Sequence, residues 1–376
     1  MNQQSPASPT LFGLLAREWT TGSPISSMCF NADQSAVGFA LENGSIAIAS
    51  VEDEDPPGRR IHVSAENGRS TIQPRTKSVQ PLNIAGAEAK GNLSLGAHGR
   101  GDFIACLGDG MPLKVSPDAS ISSSDLGLNG PIRATDHCAG GGTLACVSGS
   151  QVSVVSEANN TLIHRLDQGE TIAAARFSPD GRSVAVAHDF GITIWPSAPG
   201  DVAPKDHAFP GRPNAVFWSP DGEWIAAPLS DGGFQLCSLS DGRSQAISDY
   251  PSPVRSVCGN QNANALITSG AFRIAVWSMD DAPLEDPSSG VLETGRSGLV
   301  PVSAVASHPT KNLVAAGYDN GFITIAQIGG RDEMILNNED RGAINQLAWS
   351  RDGKCIAASS ERGHAALISL PPQMFK

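Results

Sequence analysis

The chain has 376 residues, only 17% of them charged, and 26 basic against 38 acidic side chains leave a formal net charge of −12 at pH 7. That balance opposes attraction to phosphate backbones and anionic bilayers, so nucleic-acid and membrane-surface roles are disfavoured. No run approaches the ~18 to 20 apolar residues of a membrane span, and 40 Gly with 26 Pro point to many short strands joined by many turns.

Taken in order, residues 1–19 lack the basic region and apolar core of a secretory signal, which predicts a cytoplasmic protein. Residues 11–20 form an apolar stretch with nothing of its own to pair with, so they are expected to serve as an outer strand for another unit. The first unit ends its opening apolar run at Phe30. About 26 extra residues follow, within 52–79, rich in charge and turn formers; they read as a long loop or partly disordered insertion. The clearest unit is residues 176–195, RFSPDGRSVAVAHDFGITIW, in which Ser178-Pro179-Asp180-Gly181 turns one strand into the next and Asp189-Phe190-Gly191 turns it back. Pro in the second turn position sets φ, Asp bonds its own backbone, and Gly accepts the left-handed conformation. The turn recurs as Ser219-Pro220-Asp221-Gly222 and, altered, at Ser350 and His308; second turns recur at Asp109-Gly110, Asp231-Gly232 and Asp319-Asn320-Gly321. A second insertion, 280–290, is acidic and Pro-rich. The last unit shows three strands, at 344–349, 355–359 and 365–370, and lacks a fourth.

The repeat is measurable. The residues ending each first strand are Phe30, Ala97, His137, Phe177, Trp218, Gly259, Ser307 and Trp349, spaced by 40 to 48 residues after a first interval of 67. Seven positions on stand Val37, Ile104, Leu144, Val184, Ile225, Leu266, Val314 and Ile356. One further stand Gly38, Ala105, Ala145, Ala185, Ala226, Ile267, Ala315 and Ala357. Successive strand residues face opposite sides, so this large-then-small order predicts sheets stacked with bulk on one face and room for a methyl on the other. Four-stranded units at a period of 40 to 45 residues are expected, with outer strands near 161–166, 243–247 and 332–336.

These repeats resemble the WD40-repeat family, and the resemblance covers nearly the whole chain. It implies an all-β, closed propeller of four-stranded antiparallel blades over residues 1–376, eight by this count with seven as the alternative, residues 11–20 closing the ring. The family's Trp-Asp dipeptide is replaced by Trp195-Pro196 and Trp277-Ser278, and its Gly-His dipeptide is missing before each first strand, so its buried tetrad is not carried over. Among its members the chain is most similar to divergent bacterial proteins of unassigned role.

No GxSxG, HExxH, phosphate-cradling loop or CxxC pair is present, so neither an enzyme nor a cofactor or metal is expected. Seven cysteines at no paired spacing read as small buried hydrophobes. The resemblance implies instead a protein-interaction scaffold, whose partner-facing side chains lie four before each first-strand end and just before the turn Asp. The resulting protein-binding candidates are Arg133, Asn214, Arg255, Asn345, His188 and Tyr318, a polar and aromatic set suited to an acidic or peptide partner. A small-ligand or enzymatic propeller using the central channel is the alternative. Nucleic acid would need a basic face, and Arg59, Arg60, Arg69, Arg75 and Lys77 in the insertion form the one cluster.

Overall fold

The computed structural model describes residues 10–64, 69–86, 93–107, 111–126, 128, 131–138, 140, 142–338 and 340–375; the Asp109-Gly110 turn lies outside them. Among these residues, seven sheets of the ring have four antiparallel strands and one has three; all are meanders of sequence-adjacent strands except the first, whose fourth strand Asn83–Gly86 follows the insertion, and the last, whose fourth strand comes from the other end of the chain. The propeller therefore has eight blades, not seven. Blade 1 starts at Ile25, blade 2 at Leu93, blade 3 at Ala134, blade 4 at Ile172, blade 5 at Phe217, blade 6 at Val257, blade 7 at Val302 and blade 8 at Ile344. The outer strands Thr161–Asp167, Ser244–Ile247 and Glu333–Asn337 fall where the repeat places them. Blade 6 departs from the pattern: its outer edge carries only bridges from Ile274 to Thr294 and from Trp277 to Val291, because the acidic, Pro-rich insertion precedes them.

The large-small rule is a packing rule. In blade 4, Val184 and Val186 pack with Val147, Val152 and Val154 of blade 3. Ala185 and Ala187 instead face Ile225 and Cys237 of blade 5. Gly38 shows the same fit at its limit, since a methyl there would meet Leu95 Cδ2 at 2.6 Å and Phe103 Cε1 at 3.1 Å. The Ala185→Leu variant is accordingly expected to lose about 1 to 3 kcal/mol by overpacking this seam. A urea midpoint equal to that of the unaltered chain would show that Ala185 does not face blade 5.

Blade 8 gains its fourth strand from the other end of the chain: Ala16–Thr20 pairs antiparallel with His364–Ser369, Ala16 opposite Ile368 and Thr20 opposite His364. Leu11–Leu15, expected as part of that strand, is a short helix whose N-cap Thr10 side chain accepts from Gly13 N. Its Phe12 and Leu15 are buried against blades 7 and 8.

The first insertion, expected as a long loop or partly disordered, has local structure in its described residues. Its described residues form a 3₁₀ turn, Pro57–Arg60, and a hairpin pairing Ile61–Val63 with Ser70–Ile72; residues 65–68 lie outside them. Charge density misleads here because the charges consume one another. Arg75 binds Asp53 through two bonds of 2.8 and 2.7 Å, and Arg17 of the closing strand donates to the carbonyls of Glu52 and Val51. Arg60, 7% exposed, donates to the Asp55 and Gln73 carbonyls and to Leu14 O beyond the insertion. Two members of the basic cluster are thus spent inside the fold, which removes them from any basic face.

A second clasp joins blades 2 and 3 on the side of the first turns. Glu157 Oε1 lies 3.1 Å from His98 Nδ1 and Oε2 lies 3.0 Å from His137 Nε2, while Gly99 N donates to it at 2.8 Å. Burial pushes the Glu157 carboxyl up, but the two histidines and the Gly99 amide outweigh it and hold it at about 2. A carboxyl held below its ordinary value stabilises the fold above its unfolded-chain pKa and loses that contribution as pH falls through the folded one. Glu157→Gln is therefore expected to cost about 1 to 3 kcal/mol at neutral pH, the deficit shrinking as pH falls from about 4.5 toward 2. A deficit that stays constant over that range in urea titrations would contradict this account.

Candidate functional site

The strand order gives the ring two faces. One carries the turns between first and second strands; the other carries the turns between second and third strands together with the connections to the next blade. The second face is the candidate site.

Four of the positions lying four before the first-strand ends are β-bulges. The ladder skips Ser26, Ala173, Ser303 and Asn345 in blades 1, 4, 7 and 8. A bulge re-aims its side chain, and in three blades the new direction is sideways. Ser26 Oγ lies 3.3 Å from Leu93 O of the next blade, Ser303 Oγ donates to Ile344 O at 2.6 Å, and Asn345 Nδ2 donates to Ile25 O across the ring closure. Asn345 Oδ1 also accepts from Ser359 Oγ at 2.6 Å. Asn345 is thus a latch between blades 8 and 1.

Where the same position carries Arg133, Asn214 or Arg255 it reaches solvent, whereas Leu93 in blade 2 is buried. Arg133 and Asn214 are exposed. Arg255 is paired with Glu361 of blade 8 at 3.6 Å, both side chains more than half exposed, which places Arg255 at the mouth between non-adjacent blades.

The two residues chosen for preceding the turn Asp lie inward. His188 is 8% exposed, with Nδ1 2.9 Å from Glu170 Oε2 and Nε2 3.1 Å from Thr193 Oγ1. Thr193 Oγ1 in turn donates to Asp206 Oδ1 at 2.7 Å, so the chain of bonds crosses blade 4 from its second strand to its outer one. Tyr318 is 9% exposed, and burial pushes its hydroxyl up. Neither can be an exposed contact. The last residue of a second strand still belongs to the interblade seam, which spacing alone does not reveal.

Three apolar side chains on this face escaped the sequence reading. Phe190, at the tip of the blade 4 turn, is 65% exposed, Phe272 in the blade 6 turn 41%, and Leu299 before blade 7 94%. Beside Phe190, Arg212 of blade 5 pairs with Asp189 at 2.6 Å. The Gly298 amide donates to Phe272 O at 2.9 Å, bringing Leu299 and Phe272 onto one loop pair. A large apolar residue inside a two-residue turn, as in Asp189-Phe190-Gly191, is the signal that could have found the first of them.

The face is accordingly built of arginines and outward apolar side chains on a rigid scaffold. Thiols play no part in it: burial pushes Cys29, Cys106, Cys258 and Cys355 up to about 12 and Cys237 to about 11, keeping them protonated. Among the described residues, no helix is long and apolar enough to cross a membrane.

No family model matches the chain. It is 27% identical over 205 residues to COMPASS component SWD3 of Saccharomyces cerevisiae, which is 52% of this chain and 63% of that one. It is 22% identical over 172 residues to small ribosomal subunit protein RACK1y of Oryza sativa, 44% and 51% of the two chains. Human WD repeat-containing protein 90 is 25% identical over 205 residues, 54% of this chain and 11% of that protein. The chain thus covers less than two thirds of each of these relatives. Among solved structures, the computationally designed Ika8 protein superposes with a TM-score of 0.66 at 13% identity, covering 93% of this chain and 98% of that one, which shows the fold alone. Seven four-stranded sheets and one of three strands form an eight-bladed β-propeller whose sequence is similar to that of WD-repeat proteins.

Proposed function

We propose that the chain is a non-catalytic scaffold that binds a protein or peptide partner on the face bearing the second turns. The observation that carries the reading is the set of outward apolar side chains Phe190, Phe272 and Leu299 on the same face as the exposed Arg133, Asn214 and Arg255. Aromatic and arginine side chains supply most of the energy at protein interfaces, and a fold that leaves them unburied spends nothing to reorganise them on binding. One similar protein is named for membership in an assembly, as a COMPASS component. The arginines favour an acidic partner segment.

The test is affinity capture from native lysate with the unaltered chain and with an Arg133→Ala, Phe190→Ala, Arg255→Ala, Phe272→Ala variant. All four side chains are exposed, so the variant is expected to melt like the parent and to lose a specific bound protein. His188 and Tyr318 are left intact because their removal would perturb the core. A partner list unchanged in the variant would refute this face as the interface.

A further inference from the structure

The face bearing the first turns carries a second feature, independent of the interface just proposed. At three seams a side chain near the end of one first strand closes over a glycine of the next blade. Cys138 Sγ fills the space over Gly181, Pro220 that over Gly259, and His308 that over Gly353, where an added methyl would collide with each. Between blades 5 and 6 only about 60 Å³ is left. Between blades 4 and 5 the seal fails. Pro179 only touches the Gly222 position, at 3.7 Å, and a cleft of about 660 Å³ opens beside it. The two complete Ser-Pro-Asp-Gly turns of the chain stand on its opposite sides.

That volume lies within the range of small-molecule sites. Ile194, Trp218 and Leu239 form its apolar floor, continuous with the core between the blades. The Trp218 indole N–H is already spent on Arg176 O at 3.1 Å, so the ring offers a π face and no donor. Val202 stands at the rim 68% exposed.

The titratable side chains lining it are two acidic ones, Asp180 and Asp221, and three basic ones, Arg182, Lys205 and His207. The Asp180 carboxylate is occupied within its own turn by Ser178 Oγ at 2.6 Å and Arg182 N at 3.0 Å, and Asp221 by Ser219 Oγ and by Glu223 N at 3.0 Å. The outer strand Lys205–Ala208 places Lys205 and His207 two apart, on one side. Lys205 forms no ion pair among the described residues. His207 Nδ1 is 3.3 Å from Cys237 Sγ, and its Nε2 is buried without a partner. Burial keeps the Cys237 thiol protonated, and its S–H has two acceptors in reach, His207 Nδ1 and Ser238 O at 3.7 Å. The same burial lowers His207, which stays neutral at pH 7. An unsatisfied buried ring nitrogen costs free energy that a hydrogen-bond partner recovers.

We propose that this cleft binds a small aromatic carboxylate, its ring on Trp218 and its carboxylate taken by the Lys205 ammonium beside the unpartnered His207 Nε2. Aromatic area pays the hydrophobic part of the affinity and the charge-assisted bonds select the anion.

Isothermal titration calorimetry of the full chain with 2-naphthoate tests this. The expected result is one saturable site, with the neutral isostere 2-naphthylmethanol weaker by about tenfold. Lys205→Ala, an exposed change, and His207→Phe are each expected to weaken naphthoate about tenfold without moving the thermal midpoint. No saturable heat up to about 1 mM, equal affinity for the alcohol, or unchanged affinity in Lys205→Ala would each overturn the proposal. If His207→Phe melts early, the Lys205→Ala and alcohol comparisons decide alone.

Discussion

A chain lacking residues 1–20 is expected to lose its cooperative unfolding transition at ordinary temperatures. The deletion takes away three things at once. It strips the last blade of Ala16–Thr20, leaving the edge His364–Ser369 unpaired and the two ends of the ring no longer joined by a strand ladder. It removes Phe12, 3% exposed, and Leu15, fully buried, from a core they share with Ile323, Ile325 and Leu336. Truncating such side chains costs about 2 to 5 kcal/mol apiece, against a typical domain stability of about 5 to 15 kcal/mol. It also removes Arg17, the closing strand's tie to the insertion. Circular dichroism melts and gel filtration report the outcome. A truncated chain that melts within a few degrees of the full one would show that the ring does not depend on this strand.

The second large effect is expected at Asp53, which lies outside every repeat. Its side chain is 5% exposed and sits between Arg75, bound through both oxygens, and Arg17, whose Nε is 3.8 Å away. Asp53→Ala leaves two guanidinium groups, 3% and 13% exposed, without their carboxylate. Breaking a buried pair from one side costs about 3 to 5 kcal/mol. The pH dependence has a definite sign. Burial pushes the Asp53 carboxyl up, yet the Arg75 hydrogen bonds and the charges of Arg75 and Arg17 outweigh it and hold the group below its ordinary value. Its stabilisation is therefore present at neutral pH and is lost as pH falls below about 4. Urea midpoints of Asp53→Ala and the parent should differ widely at pH 7 and converge in acid. Equal midpoints at pH 7 would remove the insertion from any part in ring closure.

Both effects concern contacts the repeat does not encode. Asp53 and Arg75 are 22 residues apart, and Arg60 reaches Leu14 across 46. In sequence these residues sit in a polar stretch whose composition matches a solvated loop. Composition reports how many charges are present, whereas order depends on whether each finds a partner, and that is settled by chain geometry. The same reasoning explains the candidate site. Arg133, Asn214 and Arg255 were legible because their register repeats and their side chains are long and polar. Asn345 occupies the same register, but its short amide meets a neighbouring carbonyl first, and His188 and Tyr318 end strands that the adjacent blade covers.

The sequence by itself determined the all-β class, a count of eight units with seven as the alternative, and the packing face of the second strands, because strand periodicity is local and the large-small alternation is written into seven of the eight copies. It determined the turns for the same reason, through Pro, Asp and Gly chemistry acting over four residues. Only the tertiary structure decided how the described residues of the insertion fold onto the ring, that residues of one register divide into latches and open side chains, and that the seam between blades 4 and 5 holds a cleft. Each of these turns on which distant group arrives within bonding distance, and that distance exists only once the blades are stacked into a ring.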